Sequence, residues 1–218
     1  YSDGGDGVQG ARFLNVTNWA SGQCFLKLRG HDNFVISDCH GGSPSMGNAP
    51  GTNEDVLRLE YCRNGVVSNI SMRATAAQGG YDGIHINSCW NLVLSNIMLS
   101  GCGRSSVYIC SAGLAGYTSP PAGGVTDIRI NCITAKQQTN QPLLMLGLDD
   151  SATTNTVTVG NITITGIQWG GTKARLYELG AGATLARLPG THIHMSGYAS
   201  DGPFRFDWAA AAPTPTIS

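Results

Sequence analysis

The sequence predicts an all-β chain: a right-handed parallel β-helix of about seven coils, with corner insertions and an extended C-terminal tail. Three observations predict it. The first is a recurring strand. Phe25-Leu26-Lys27-Leu28, Val56-Leu57-Arg58-Leu59, Gly83-Ile84-His85-Ile86, Ser106-Val107-Tyr108-Ile109, Leu143-Leu144-Met145-Leu146, Leu176-Tyr177-Glu178-Leu179 and Phe204-Arg205-Phe206 share one apolar beat, which returns every 23 to 37 residues. A strand pattern returning at such intervals is the mark of a solenoid. The second is a following unit of polar turn, strand and Ser-Asx, seen at Asn33 to Asp38, Asn64 to Asn69 and Asn91 to Asn96. The third is composition. Charged residues make up 12% and glycines number 30, against averages of about 25% and about 7% in globular domains. Gly, Asn, Ser, Thr and β-branched residues favour strands joined by tight corners.

The elements follow in order. Residues 1–11 read as a flexible N-terminal segment of a truncated or processed chain, because Tyr1 opens a Gly/Asp-rich stretch in place of an initiator Met. Asp3-Gly4-Gly5-Asp6-Gly7 offers too few oxygen ligands for a calcium loop. Residues 12–208 form the β-helix. Looser copies of the second unit are Asp127 to Asn131, Val157 to Asn161 and Thr191 to Met195, and a third short strand follows the Ser-Asx turn, as in Ile97-Met98-Leu99 and Ile162-Thr163-Ile164. Three long connections, 41–53, 111–124 and 181–190, project from corners, where solenoids carry their binding surfaces. The best helical candidate is short, Ala183 to Leu188. Residues 209–218, rich in Ala and Pro, read as a low-complexity tail.

Composition also excludes. Net charge is −1 and no Lys/Arg cluster occurs along the chain, so nucleic acid is not expected as a partner. No apolar run approaches the roughly 20 residues of a membrane-spanning helix. Seven cysteines without CxxC spacing read as reduced, stacked thiols made in a reducing compartment, and no metal or cofactor is expected. Asn15, Asn69 and Asn161 match the glycosylation pattern but read as corner residues.

Side chains alternate along a strand. The last residue of each recurring segment points inward and the one before it outward. The outward column then reads Lys27, Arg58, His85, Tyr108, Met145, Glu178 and Arg205. It is either a solvated sheet face or part of an elongated groove for a polymer. On this register replacement of inward Ile86 by Asp abolishes folding, whereas replacement of outward His85 is tolerated. Carboxylates are scarce, so their positions inform. Asp55 and Asp82 each lie four residues before the inward residue that ends their segment, so they share a register on adjacent coils. Stacked at about 5 Å they match the spacing of retaining glycosidases, and like charges so close raise one pKa and leave one acid protonated. The bland alternative is two solvated turn caps. Glu54 is a third candidate catalytic carboxylate. Arg58, His85, Tyr108, Lys27, Trp90 and Tyr117 are the candidate substrate-binding residues. Asp149-Asp150 is a second acidic pair at a corner.

The stretch from Tyr81 to Ile97 resembles the coil consensus of the pectate-lyase-like β-helix superfamily. The polygalacturonase motifs are not intact: Leu148-Asp149-Asp150 is a partial match, and His40-Gly41-Gly42 is not Gly-His-Gly. In cysteine pattern, irregular coil length and truncated start the chain is more similar to phage tailspike and tail-fibre proteins. That resemblance implies a homotrimer in the virion, beside other tail proteins, binding bacterial surface polysaccharide (capsule or O-antigen). It implies cleavage, by hydrolysis or elimination, through carboxylates on the helix face or between subunits. A non-catalytic receptor-binding fibre or virion decoration protein, and a cellular pectinase-like enzyme, remain open, with secretion as the alternative location.

Overall fold

The computed structural model describes residues 2–18, 24–43, 55–74, 82–102, 105–111, 116–120, 123–136, 142–148, 156–170, 174–179, 182–200, 204–206 and 216–217. Each coil contributes a short strand and then a longer one. The short strands are β4 (Leu26–Asp32), β6 (Leu57–Glu60), β8 (Asp82–Asn87), β10 (Ser105–Cys110), β12 (Pro142–Gly147), β15 (Ala174–Leu179) and β18 (Phe204–Phe206). They stack in parallel in that order. The longer strands β5 (Val35–Ser43), β7 (Arg63–Ala74), β9 (Trp90–Ser100), β11 (Thr126–Lys136), β14 (Ile162–Gly170) and β17 (Ile193–Ser200) form a second parallel stack. The chain is a parallel β-helix, with no α-helix among the described residues.

From β5 onward, the second and third strands of each coil are one strand bent at a left-handed residue. Asn15, Asp38, Asn69, Asn96, Cys132, Gly166 and Gly197 all have φ between 54° and 63°, and the flanking pairs place them in one column. Asx and Gly tolerate this conformation better than other residues do. The Asx side chains then bond from coil to coil: Asn69 Nδ2 donates to Asp38 Oδ1 at 3.0 Å and Asn96 Nδ2 to Asn69 Oδ1 at 3.1 Å. A second left-handed column, Asn33, Asn64, Asn91 and Asp127, opens the long strands. These are the Asx positions of the sequence repeat.

Inward residues stack like on like. Leu28, Leu59, Ile86, Ile109 and Leu146 form one fully buried column, and Ile36, Val67, Leu94, Ile130 and Ile164 another. Gly65 belongs to a third, where a Cβ would lie 2.2 Å from the Phe34 ring; the ring of one coil fills the space that the next leaves.

Several expectations are corrected. Residues 2–9, expected in the flexible segment, form β1 (Ser2–Gln9), which pairs in parallel with β4. Two further short strands, β2 (Arg12–Leu14) and β3 (Thr17–Asn18), pair with β5. Val157 to Val159 lies in β13 (Thr156–Val159), which pairs with β16 (Thr184–Arg187) in a separate two-stranded sheet and bridges to Val125 on its other side. Ile162 therefore begins the second strand of its coil, not the third, in register with Ile128. The helical candidate at Ala183 is β16, whose Leu185 packs against the core. β19 (Thr216–Ile217), within the expected tail, pairs with β17. Arg205 pairs with Arg175 rather than with Glu178, because the register shifts there.

Two outcomes are expected. Ile86→Ala should lower unfolding free energy by about 2–5 kcal/mol in urea titrations, because neighbouring coils cannot collapse onto the cavity. Cys132→Asn should raise it by about 1 kcal/mol, because Cys132 alone puts a side chain other than Asx at this corner; a lower midpoint would contradict the strain.

Candidate functional site

The predicted outward column forms from Lys27 to Glu178 and loses Arg205. Lys27 pairs with Arg58, Arg58 with His85, His85 with Tyr108, Tyr108 with Met145 and Met145 with Glu178. Two residues along each strand, alternation builds a second outward column: Arg29, Glu60, Asn87, Cys110 and Gly147. The sequence reading passed over Arg29, Glu60 and Cys110.

The face is covered, which the sequence did not reveal. His85 and Tyr108 are each 3% exposed, and Asp55 and Asp82 are 0% exposed. Neither aspartate is a solvated turn cap. Asp55 Oδ1 accepts from the Asp82 amide at 3.3 Å. Its Oδ2 accepts from Arg58 Nη1 at 3.1 Å and from His85 Nδ1 at 2.7 Å. Asp82 Oδ1 accepts from Ser105 Oγ at 2.5 Å. Buried charge persists only when paired in this way.

Glu60 is the second anionic centre. It meets Lys27 Nζ at 3.2 Å, Arg29 Nε at 2.5 Å and Arg58 Nε at 2.5 Å. Burial raises its pKa, but hydrogen bonding from Arg29 and the charges of Arg58 and Lys27 outweigh burial, and the net effect lowers it. Lys27, Arg29 and Arg58 come from two coils; the cationic cluster absent along the chain exists in space.

His85 joins two groups. Its Nδ1 faces Asp55, its Nε2 lies 3.1 Å from Cys110 Sγ, and its ring meets Tyr108 edge-on with centroids 5.0 Å apart. Cys110, His85 and Asp55 therefore have the connectivity of a nucleophile, base and orienting acid. Cys110 is 0% exposed, so no substrate carbonyl reaches its sulfur in this arrangement. The neighbouring thiols are poor nucleophiles as well: burial, with the charges of Asp82 and Asp55, pushes Cys102 up to about 12, and burial and Asp55 raise Cys24.

Asp55, Asp82 and His85 each bring a ligand-type atom within 4.8 Å of the others. The donor set suits a divalent cation, but Arg58 already occupies Asp55 Oδ2, and an ion there would meet the guanidinium charge.

The remaining predicted residues divide. Tyr117 stacks on Tyr61 at 5.2 Å and lies 5.9 Å from the Arg29 guanidinium, so it borders the cluster. Trp90 lies at the head of β9, with Arg63 5.3 Å over its ring, outside the column. Arg63 there also pairs with Asp32 and Asp6. Glu54, Asp149 and Asp150 lie outside the described residues.

No family model and no curated protein matches the sequence. Solved structures do resemble the fold. A variant of the tailspike protein of E. coli bacteriophage HK620, in complex with a hexasaccharide, superposes with a TM-score of 0.61 at 11% identity, over 88% of this chain and 34% of that one. Another, with a pentasaccharide, gives 0.56 at 12% identity, over 96% and 42%. The fold is that of the tailspike β-helix. The present chain spans well under half the length of those tailspike chains, and at this identity the likeness is one of fold.

Two outcomes follow from the network. His85→Ala should cost about 1–3 kcal/mol, because the buried Asp55 carboxylate loses a hydrogen-bond donor; this replaces the expectation that an outward residue is dispensable. The lowered pKa of Glu60 means that its contribution is present above the ordinary carboxylate value, near 4.5, and is lost as pH falls through the lower folded value. Urea midpoints should therefore drop in that acid range, and Glu60→Gln should flatten the drop.

Proposed function

We propose that the chain is the β-helix of a phage tailspike or fibre that binds bacterial surface polysaccharide, capsule or O-antigen, on the β-helix face at β4 and β6, where Lys27 and Arg58 keep part of their side chains exposed. One observation carries the reading: the register-aligned, partly exposed Lys27 and Arg58 stand side by side on adjacent coils, on a fold shared with tailspikes captured with oligosaccharides. A row of donors spaced by the strand separation, about 4.8 Å, suits an extended polymer. In this proposal the assembly is a homotrimer in the virion tail beside other tail proteins, and its thiols stay reduced because the chain is made in a reducing cytoplasm.

A second reading, cleavage of the glycan, rests on Asp55 and Asp82 lying together beside His85 and Arg58, with Glu54 as a further acid. Both aspartates are fully covered and bonded within the protein, which supports binding over cleavage for this surface. Lyase and hydrolase chemistry alike need a carboxylate or base that touches the sugar.

The test is binding of the folded chain to immobilised capsular polysaccharides and O-antigens, with light scattering for mass. At least one glycan should bind a trimer, and Lys27→Ala should weaken binding while costing less stability than His85→Ala, because Glu60 keeps Arg29 and Arg58. A folded protein that binds none of the panel would contradict the proposal. New reducing ends or unsaturated uronate that vanish in Asp55→Asn and Asp82→Asn, with binding retained, would favour the cleaving reading.

A further inference from the structure

Asn64 and Gly65 form the single Asn-Gly step of the chain. The fold requires both residues. Asn64 lies in the left-handed region, with φ 51°, which Asx tolerates. Gly65 leaves the space that the Phe34 ring fills, and a Cβ there would lie 2.2 Å from that ring. The equivalent steps of the same column are Asn33-Phe34, Asn91-Leu92 and Asp127-Ile128. In each of these a bulky side chain stands beside the backbone nitrogen that follows the Asx residue. Gly65 has none, so attack by its nitrogen on the preceding side-chain carbonyl is least hindered there.

The side-chain amide of Asn64 is held at both ends. Its Nδ2 donates to Asp32 Oδ1 at 2.7 Å, and its Oδ1 accepts from Asn91 Nδ2 at 2.6 Å. Asn64 itself is exposed, so water reaches it. Turning the amide toward the Gly65 nitrogen breaks both bonds. The coil-to-coil ladder therefore opposes this chemistry while the coil is closed, and local opening releases it.

We infer that Asn64 is a self-modification site, deamidating through its own backbone, and that the Asx ladder guards it. When the coil opens, the Gly65 nitrogen bonds to Asn64 Cγ and gives up its proton, and the side-chain nitrogen leaves as ammonia with that proton. The cyclic succinimide then takes up water and opens to aspartate or to isoaspartate. Either product damages the coil. Aspartate places a carboxylate oxygen where Nδ2 donated, against Asp32, whose Oδ2 already accepts from Arg63 Nε at 3.0 Å; a donor is replaced by a like charge. Isoaspartate lengthens the main chain by a methylene. It displaces Val66 and Val67 from register with Val35 and Ile36 in one neighbouring coil and with Val93 and Leu94 in the other. A chain that has opened is thereby marked, and closes again with a broken ladder.

The experiment incubates the full chain in mildly alkaline buffer, folded and in urea. Mass spectrometry follows the peptide that spans Asn64 and Gly65, and fragmentation separates isoaspartate from aspartate. In urea, conversion should concentrate at Asn64 over Asn33 and Asn91. In the folded chain it should be about tenfold slower or more, because two hydrogen bonds must break first. Asn91→Gly keeps the left-handed angle but removes one of those bonds, and should speed the folded-state reaction about fivefold. Asn64→Asp supplies one product directly and should lower the urea midpoint. Conversion in urea no faster at Asn64 than at Asn33 would overturn the site. Equal rates at Asn64 in folded and unfolded chains would overturn the guarding role, as would an unchanged rate in folded Asn91→Gly. The comparison of folded with unfolded chain uses the unaltered protein alone, so it decides even where Asn91→Gly fails to fold.

Discussion

Parallel pairing between successive coils is the constraint on which the rest of this structure depends. Each strand takes its register from the coil before it, so an error of one residue would exchange the inner and outer faces of that coil. The left-handed columns hold that register. Asp38, Asn69 and Asn96 each turn the backbone at the same point and pass a side-chain hydrogen bond from coil to coil. Where the Asx series ends, Gly166 and Gly197 keep the backbone angle without the ladder. Inner columns of Leu and Ile and outer columns of charge are both consequences of this registration.

The outer face of β4, β6, β8 and β10 does not behave as a surface. Its ionisable groups form a continuous network from Lys27 through Glu60 and Arg58 to Asp55, His85 and Cys110. Such a network holds every member in place, because removal of one leaves another buried without a partner. The same arrangement makes Cys110 and His85 parts of a rigid support, whereas the basic groups at the rim meet solvent. Rigidity beneath is what a site needs to bind a flexible polymer at low entropic cost.

Much of this was legible in the sequence. The coil beat and the Asn and Ser-Asx corners gave the repeat, and alternation gave the column from Lys27 to Glu178. Counting back from Leu59 and Ile86 brought Asp55 and Asp82 together correctly. Burial was not legible, because it depends on what packs above a residue rather than on where that residue sits in its strand. Glu60, Arg29 and Cys110 lie two positions beyond column residues, so the alternation already used would have found them. Val157 to Val159 was misplaced because a β-branched run reads alike in either sheet, and periodicity cannot say which neighbour it pairs with. Trp90 has the composition of a sugar platform but stands on the other stack of strands, beside Arg63.

The most direct test of the account is the structure of the chain with a bound surface oligosaccharide. The account predicts the sugar across β4 and β6, in contact with Lys27 or Arg58 and with Glu60 still bonded to both. Sugar on the long-strand stack instead, beside the exposed Val66 or along Trp90, would contradict it.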